Sequence, residues 1–504
     1  MALGIDAARG KTIVFLAGPI MIAMLTQTFI NVVDTIFIGK LDASFSIPGQ
    51  AALGLSLPML WIIGGSLSAV GVGTQAMTAR RYGGGRPFDA GTVLFNSLVI
   101  AVVSSIIFTY LGWHLIPVFF HYLTSNEAVA ALGTPYAQIR VLGVLSMVAS
   151  TSYKGFFDGV GATRVHMYAC LIMNAVNIPL NYVFIFGFGS IPAYFVTGAA
   201  ISSLISTYVG LAIMILWSVR GKYAKPFGYY RLRNLKPRVM WEISKLSLPS
   251  MATQIFVMSG VLLFMKIIDM IDDQVVLEAM AQTNYYGTSF AEKASALHAA
   301  LMVRADLPGR VFADDWAHTV LWSRPPIFMT AAKLIIDLLS IGFVTCIAFG
   351  QATATLVSQA MGKNDFKLAE NYGWESVKLG MYFFGALGVV VIVFPEYFLD
   401  ILSDDVMVIE AAIPGLRLMA STLMFIAMSL ILIQALFGAG DTKFVMWVEL
   451  ILHGVCLAPL AFILAVVLNW GYMGVWISAM VYITALAMIM AWKFWSGGWK
   501  SIEV

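Results

Sequence analysis

Charged residues are scarce in this 504-residue chain, because Asp, Glu, Lys and Arg together make up only 11% of it. A soluble globular domain carries roughly 25%. Since 60% of the residues are hydrophobic, most of the surface must contact something other than water. This composition excludes an ordinary soluble globule and indicates a membrane protein. The net charge of only +3 gives no reason to expect a nucleic-acid partner.

Cysteine and enzyme motifs are also scarce. The three cysteines, Cys170, Cys346 and Cys456, each lie in an apolar run, and no CxxC or Cys/His cluster is present. This pattern argues against a disulfide framework and a structural zinc site. The sequence contains no Walker A motif, HExxH, GxSxG or carboxylate pair at metal-ligand spacing. We therefore expect neither ATP-driven chemistry nor enzyme activity, and no cofactor.

Long apolar runs are abundant. A helix needs about 20 mostly apolar residues to cross the hydrocarbon core, and twelve segments qualify. The first is too long for a signal peptide and leads directly into further runs. Spans 1 to 6 lie near 13–38, 50–78, 91–112, 136–156, 165–188 and 198–219. Spans 7 to 12 lie near 246–270, 331–361, 373–394, 414–436, 444–468 and 472–494.

Basic residues predict the orientation of these spans. They follow spans 2, 8 and 10 and occupy the links after spans 4 and 6, which all lie on one side of the membrane. They are Arg80, Arg81, Arg86, Lys154, Arg164, Arg220, Lys222, Lys225, Arg231, Arg233, Lys236, Arg238, Lys363, Lys367 and Lys443. By the positive-inside rule we expect both termini in the cytoplasm. We expect a multi-pass protein of the cell inner (plasma) membrane.

The two halves of the chain repeat each other. GVGATRVHM, from Gly159, matches GAGDTKFVM, from Gly438, at a distance of 279 residues. Gly83 matches Gly362 at the same distance. Two six-span halves in the same orientation are parallel repeats, which place substrate between the halves and rock between two states. Duplication also occurs in channels and membrane enzymes, so the repeat by itself only favours a transporter.

The first span of each half gives a different spacing. Pro19 pairs with Pro249 at a distance of 230 residues, so the second half has gained about 49 residues, which we place near 280–329 on the non-cytoplasmic side. Both a tolerated surface insertion and a folded cap or partner surface would fit it. The predicted divisions are an N-terminal lobe at 1–220, a basic cytoplasmic linker at 221–245, a C-terminal lobe at 246–494 and a cytoplasmic tail at 495–504.

Several stretches in both halves have a distinctive family pattern. They are QTFINVVDTIFIG (27–39), GVGTQAMTARRYGGG (71–85), GFFDGVGATRVHM (155–167), NIPLNYVFIFG (177–187), GQATATLVSQAMG (350–362) and ALFGAGDTKFVMW (435–447). With them the chain resembles the multidrug and toxic compound extrusion (MATE) family. The resemblance implies an all-α integral membrane fold with twelve helices in two six-helix lobes arranged as a V. It also implies export of cationic or amphipathic compounds in exchange for H⁺ or Na⁺.

Asp34 is the principal candidate for ion coupling. A carboxylate within a membrane span is costly, so it usually faces the bundle interior and has a function. Burial disfavours its charged form, which suits a proton carrier, whereas Na⁺ would keep it ionised and recruit neutral oxygen ligands. A solvated position near the outer interface is the alternative. The repeat equivalent of Asp34 is Phe264, so we expect coupling to be confined to the N-terminal half.

Neighbouring polar residues fit the same site. Asn31 lies one turn before Asp34 on the same helix face, and Asn177 and Asn181 share a face of span 5. The resemblance assigns the cation pocket to the positions of Asn177 and Ser203. Some members have an aspartate where Asn181 stands, and the amide weakens the case for a tight Na⁺ site formed with Asp34 and Asn177. Interhelical hydrogen bonding is the structural alternative for the two asparagines.

Other candidates are less specific. Gln27, Gln254 and Met258 are proposed to line the substrate cavity, and Pro19 would permit span 1 to bend because it frees a backbone carbonyl. The acids that one family branch carries in spans 7 and 10 are replaced here by Val257 and Ile426. 

Glu449 and His453 in span 11 are spaced to pair. Their distance from the cytoplasmic end favours an interfacial pair, and a second protonation site is the alternative.

The leading hypothesis is an H⁺- or Na⁺-coupled antiporter for small molecules, acting as a monomer among membrane lipids. A flippase for a lipid-linked saccharide is the alternative. Such a cavity usually needs several buried basic residues for a pyrophosphate, and Arg140 is nearly alone in the interior of the first half. A membrane enzyme or receptor is disfavoured because no catalytic constellation supports it.

Overall fold

The computed structural model describes residues 5–123, 127–282, 327–403 and 406–502. The predicted insertion near 280–329 therefore lies almost entirely outside the described residues. Some side chains within the helices also lie outside the description, namely those of residues 28, 29, 31, 32, 43, 44, 47, 57, 58, 123, 269, 272–282 and 407. The described part of the chain is almost wholly helical, with one isolated β-bridge between Phe188 and Ile191.

The first half contains six spans. Span 1 is the single helix Ala7–Gly39, and span 2 is built from Ala43–Leu60, a π-helical turn at Trp61–Gly65 and Val70–Gly83. Spans 3 to 6 are Pro87–Leu123, the pair Glu127–Val141 and Val144–Gly159, Arg164–Phe186, and Phe195–Ser218. The basic segment that follows contains a short helix, Gly221–Phe227, and a 3₁₀ turn, Leu232–Asn234.

The second half repeats this order. Spans 7 to 9 are Pro237–Gln282, Ile327–Gly362 and Phe366–Val393, and span 10 follows the short helix Pro395–Asp400 as the pair Val406–Ser421 and Leu423–Ala439. Span 11 runs through Thr442–Ile451, a π-helical segment at Leu452–Leu457, Ala458–Phe462 and a second π-helical segment at Ile463–Val467. Span 12 is Gly471–Ser496, and the 3₁₀ turn Gly498–Ser501 ends the described chain.

Ten helices in the described ranges are long and apolar enough to cross a membrane, and two bent pairs bring the number of spans to twelve. The bends are 43° in span 4 and 54° in span 10. The fold is therefore the expected all-α membrane protein with two six-helix lobes in a V-shaped arrangement. The spans predicted at 136–156 and 414–436 are present, and each is built from two helices with a bend between them.

The two breaks occur at equivalent positions of the repeat. Gly143 and Thr422 are 279 residues apart, and each backbone N–H donates to a carbonyl three residues earlier, Arg140 and Met419 respectively. The hydroxyl of Thr422 also donates to the Met419 carbonyl at 2.7 Å. These shorter bonds replace the α-helical pattern locally, so the helix axis changes direction.

Equivalent glycines make equivalent contacts between the lobes. A Cβ atom on Gly83 would lie 2.2 Å from the carbonyl oxygen of Gln359, and one on Gly362 would lie 2.0 Å from that of Arg80. Arg80 and Gln359 are themselves 279 residues apart, so the two halves meet through the same residues in both directions. This geometry is what an approximate two-fold axis along the membrane normal produces.

The lobes are joined at one end of the bundle. The Gln75 side chain donates to the hydroxyl of Thr355 at 2.9 Å, and the Ser358 hydroxyl donates to the carbonyl of Ala76 at 2.7 Å. Arg9 forms an ion pair with Glu375 at 2.6 Å between the start of span 1 and span 9. At the other end, Ala43–Leu60 of span 2 packs on spans 1, 4 and 6 of its own half.

The contact at Gly362 predicts a substitution effect. We expect Gly362→Ala to lower the thermal unfolding temperature of the purified protein in detergent, because the new methyl group would overlap the Arg80 carbonyl. Overpacking of this kind costs about 1–3 kcal/mol. Gly385→Ala in span 9 is the matched control, since nothing lies within 4 Å of its Cβ position, and it should unfold at or above the wild-type temperature. A Gly362→Ala protein as stable as the wild type would contradict this packing.

Candidate functional site

Asp34 is buried in the N-terminal lobe. It lies toward the end of span 1, in the same continuous helix as Pro19, and 1% of its surface is exposed. The sequence left open whether this carboxylate faces the bundle or the outer interface. The structure places it inside the six-helix lobe, against spans 5 and 6.

Both carboxylate oxygens of Asp34 accept a hydrogen bond from a different span. The Asn181 amide in span 5 donates to Oδ1 at 2.7 Å, and the Ser203 hydroxyl in span 6 donates to Oδ2 at 2.7 Å. Hydrogen bonds to an ionised acceptor are about twice as strong as neutral ones. The two bonds therefore hold span 1 to spans 5 and 6 through a single side chain.

A second layer of hydrogen bonds orients these donors. The Asn181 amide also donates to Oδ1 of Asn177 at 3.1 Å, and the Asn177 amide donates to the Ser203 hydroxyl at 3.4 Å. The Ser202 hydroxyl donates to the side-chain oxygen of Asn181. All of these side chains are almost completely buried, so the network is closed within the lobe. Its hydrogen bonds fix the direction in which each amide points.

Sequence reasoning identified most of this network. The structure brings together four of the predicted residues, Asp34, Asn177, Asn181 and Ser203. Asn31 lies in the span 1 helix, but its side chain is outside the described residues. Ser202 was missed, although its neighbour Ser203 was predicted.

Two residues of span 4 add charge and bulk beside the site. The positive charge of Arg140 lies close enough to attract the Asp34 carboxylate. Tyr136 lies close enough to interact electrostatically with both groups. Tyr136 is buried and Arg140 is half-buried. The i, i+4 spacing of Tyr136 and Arg140 puts both on one helix face, and this spacing is the signal by which the sequence could have linked them to the site.

The remaining predicted residues lie elsewhere. Gln27, Gln254 and Met258 are exposed, Met258 by 43%, so each is accessible to a molecule outside the lobes. Their assignment to a substrate cavity stays a prediction, as does the bending role of Pro19. Phe264, the repeat equivalent of Asp34, is buried among apolar residues and its ring packs edge-on against Trp476.

The burial of Glu449 and His453 differs from the expectation that they form an interfacial pair. Both are buried, and the His453 Nδ1 atom lies 3.2 Å from a carboxylate oxygen of Glu449. Their distance from the helix end did not predict this burial, because span 12 and span 7 cover this part of span 11.

The Asp34 network can hold a small cation by either of two chemistries. A proton can bind the carboxylate directly, since burial favours the neutral form of the group. A Na⁺ ion could instead be bound by a carboxylate together with the side-chain oxygens of Asn177, Asn181 and Ser203, because hard cations prefer oxygen ligands. Either event would change the hydrogen bonds that join span 1 to spans 5 and 6.

Twelve spans in two repeated lobes, joined at one end and with a buried acid network in one lobe, define a polytopic membrane transporter. The MatE family model matches residues 19–183 and 319–463, which is more than half of the chain. The chain therefore belongs to the MATE transporter family.

Curated relatives cover nearly the whole chain. "Probable multidrug resistance protein NorM" of Thermotoga maritima is 22% identical over 502 residues, which cover 98% of this chain and 94% of that protein. The protein of the same name from Bacillus licheniformis is 31% identical over 216 residues, which cover 42% of this chain and 46% of the relative.

Solved structures share the fold. A MOP superfamily transporter from Pyrococcus furiosus superposes with a TM-score of 0.78 at 19% identity, covering 98% of this chain and 97% of that one. The eukaryotic MATE transporter AtDTX14 gives a TM-score of 0.77 at 15% identity, with 98% and 97% coverage. The expected twelve-helix, V-shaped MATE fold is thereby confirmed.

The network predicts a stability difference between two serines of span 6. We expect Ser203→Ala to destabilise the purified protein by about 1–3 kcal/mol, because a buried carboxylate oxygen would lose its partner. Ser206→Ala is the control: that side chain is equally buried, but its hydroxyl donates only to the Ser202 carbonyl of its own helix, and the loss should be smaller. Thermal unfolding in detergent compares the two, and equal losses would contradict the assigned contact.

Proposed function

We propose that this protein is a secondary active antiporter that exports drugs or other amphipathic or cationic small molecules in exchange for H⁺ or Na⁺. The observation that carries the proposal is the burial of Asp34 with hydrogen bonds to two other spans. A carboxylate in this position must be protonated, ion-bound or hydrogen-bonded, and a change between these states alters the contacts of span 1. Cation coupling would take place at Asp34, assisted by Asn31, Asn177, Asn181 and Ser203.

The difference between the two halves supports coupling in the N-terminal lobe. The repeat places Phe264 where the first half has Asp34, and Phe264 lies in an apolar core cluster. An acid that only stabilised the scaffold would be expected in both copies of a duplicated bundle. The carboxylate is therefore better explained by an activity that one lobe performs than by the shared fold.

Rocking of the lobes would provide alternating access. The end of the bundle at which Gln75 and Thr355 meet carries the basic residues that the positive-inside rule assigns to the cytoplasm. With that orientation the contacts between the lobes lie on the cytoplasmic side, and we assign the arrangement to an outward-open state. Opening the cytoplasmic side requires the contacts of Gly83 and Gly362 to separate, while the outer parts of the lobes approach each other.

The nature of the substrate is proposed from the relatives and from the exposed residues. Proteins named for multidrug resistance align with almost the full chain. Met258 offers a flexible thioether that adapts to differently shaped apolar compounds, and Gln27 and Gln254 offer exposed amides for hydrogen bonds. We place the transporter in the cell inner (plasma) membrane as a monomer with both termini in the cytoplasm. The lobes are 1–220 and 246–494.

A transport assay tests this function. Wild-type protein in vesicles should export ethidium when an H⁺ or a Na⁺ gradient is imposed, and applying the two gradients separately identifies the ion. We expect Asp34→Asn to reduce gradient-driven transport to the level of protein-free vesicles, because the amide cannot take up a proton or balance a cation. The folded state of the variant is checked by size-exclusion chromatography before reconstitution.

Asp42→Asn is the matched control. It makes the same chemical change eight residues further along, at a position exposed beyond the end of span 1, and should transport like the wild type. Gradient-driven ethidium export by folded Asp34→Asn protein at the wild-type rate would reject Asp34 as the coupling group.

A further inference from the structure

A second buried cluster of titratable side chains lies in the C-terminal lobe. Glu449 and His453 are one turn apart on span 11, with the imidazole Nδ1 3.2 Å from the Glu449 carboxylate. The Tyr482 hydroxyl of span 12 donates to the same carboxylate oxygen at 2.9 Å, and its ring meets the imidazole edge-on with the centroids 4.7 Å apart. His453 and Tyr482 therefore share one carboxylate oxygen of Glu449 inside the lobe.

The cluster is shielded from its surroundings. Glu449 is 3% exposed and His453 is 6% exposed. Span 10 contributes aliphatic side chains to the apolar core cluster that also contains Val448 and Leu452, and Cys456 is the other titratable group close to Tyr482. An isolated charge would be very costly here. An ionised Glu449 carboxylate therefore needs either a positively charged imidazole beside it or hydrogen-bond donors, and His453 and Tyr482 provide both.

The geometry distinguishes the two imidazole nitrogens. Nδ1 faces the backbone carbonyl of Glu449 at 2.9 Å as well as its carboxylate. Both are acceptors when the carboxyl group is ionised, so Nδ1 then carries a hydrogen. The Cδ2 edge of the ring faces span 7, where a Cβ atom on Gly260 would lie 2.1 Å from Cδ2 and 3.2 Å from Nε2. Gly260 thus makes the space for the ring, and Nε2 is the nitrogen left to gain or lose a proton.

The backbone is irregular at the same place. The π-helical segment Leu452–Leu457 contains His453 and begins three residues after Glu449. Segments of this kind are rare and occur frequently at functional sites, because the wider turn changes which side chains share a face. In an ordinary α-helical segment the residues after His453 would follow at 3.6 residues per turn. The π-helical segment therefore affects the direction in which the imidazole ring leaves the helix.

The repeat relates this cluster to the Asp34 site. Span 11 is the copy of span 5, and span 12 is the copy of span 6. His453 is the equivalent of Asn174 at the 279-residue spacing, one turn before Asn177 in the N-terminal lobe. Tyr482 is the equivalent of Ser206 at the 276-residue spacing that relates Gly198 to Gly474. The second lobe thus has a polar site on the same pair of helices, displaced by one to two turns toward the end where the lobes join.

We propose that Glu449, His453 and Tyr482 form a second proton-binding site, located in the C-terminal lobe. Uptake of a proton at Nε2 gives an imidazolium balanced by the Glu449 carboxylate. Release returns the proton to water and leaves neutral His453, with the carboxylate held by the Tyr482 hydroxyl. The site is separate from Asp34, and its contribution to transport rests on the proposed antiport function.

Histidine NMR tests whether the site exchanges protons. The chain contains six histidines, so the full-length protein with ¹³C,¹⁵N-labelled histidine in lipid nanodiscs gives a spectrum in which His453→Gln assigns one ring. We expect the His453 ring signals of the wild type to move with pH over the range in which the protein stays folded, because the ring gains and loses a proton in the proposed site. In Glu449→Gln this movement should be lost over the same range. Ring signals that stay constant in the wild type, or that titrate identically in Glu449→Gln, would overturn the proposal.

Controls separate this site from the Asp34 site and from a purely structural role. Asp34→Asn should leave the His453 titration unchanged, whether or not that variant still transports. Gly260→Ala should alter the titration by displacing the ring, whereas Gly454→Ala, with nothing within 4 Å of its Cβ position, should not. A titration unaffected by Gly260→Ala would contradict the position assigned to Nε2.

Proton counting tests the role in transport. Wild-type and Glu449→Gln proteins are reconstituted in vesicles with an internal pH indicator, and protons moved per ethidium molecule are measured under an imposed pH gradient. We expect the ratio to fall by one proton in Glu449→Gln. An unchanged ratio would exclude the site from the transport cycle. Failure of Asp34→Asn to block transport would instead count against the proposed function and leave the NMR result standing.

Discussion

The contact of span 1 with spans 5 and 6 depends on the hydrogen bonds that one buried carboxylate accepts. Asp34 lies where water cannot solvate it, and its two oxygens obtain their hydrogen bonds from spans 5 and 6. Breaking a contact of this kind leaves an uncompensated charge in the lobe, whereas protonation or cation binding removes that cost. In the proposed function, the position of span 1 relative to its neighbours is therefore linked to the ion occupancy of this single group. This link supplies what an exchanger needs, since a change in ion occupancy alters helix packing.

The duplication gives the molecule two lobes that are alike in packing and different in chemistry. Equivalent glycines, Gly83 and Gly362, bring the lobes together through equivalent backbone contacts, and equivalent breaks bend spans 4 and 10. The polar groups do not follow this symmetry. Asp34 is matched by Phe264, and the C-terminal lobe has its ionisable cluster at Glu449 on spans 11 and 12 instead. In the proposed function, the two lobes therefore share their backbone geometry but bind ions through different side chains.

Much of the fold was predictable from the sequence. The bilayer requires apolar runs of a given length, and the duplication leaves a constant spacing between matching segments. The twelve spans and the pairing of Asn177 and Asn181 came from length, periodicity and internal comparison. The breaks at Gly143 and Thr422 could not be predicted, since they arise from local hydrogen bonds that leave no hydropathy signal. Ser202 and the burial of Glu449 were missed for another reason: both depend on which helix covers a face, and that is a property of tertiary packing.

The ion dependence of substrate binding tests the central claim most directly. Ethidium affinity of the purified full-length protein is measured by fluorescence polarisation at several concentrations of the coupling ion. If Asp34 binds that ion in competition with substrate, the logarithm of the apparent Kd should rise with the logarithm of ion concentration. The slope should be steeper in the wild type than in Asp34→Asn by about one, as linkage requires for one exchanged ion. Equal slopes for the two proteins would contradict the account.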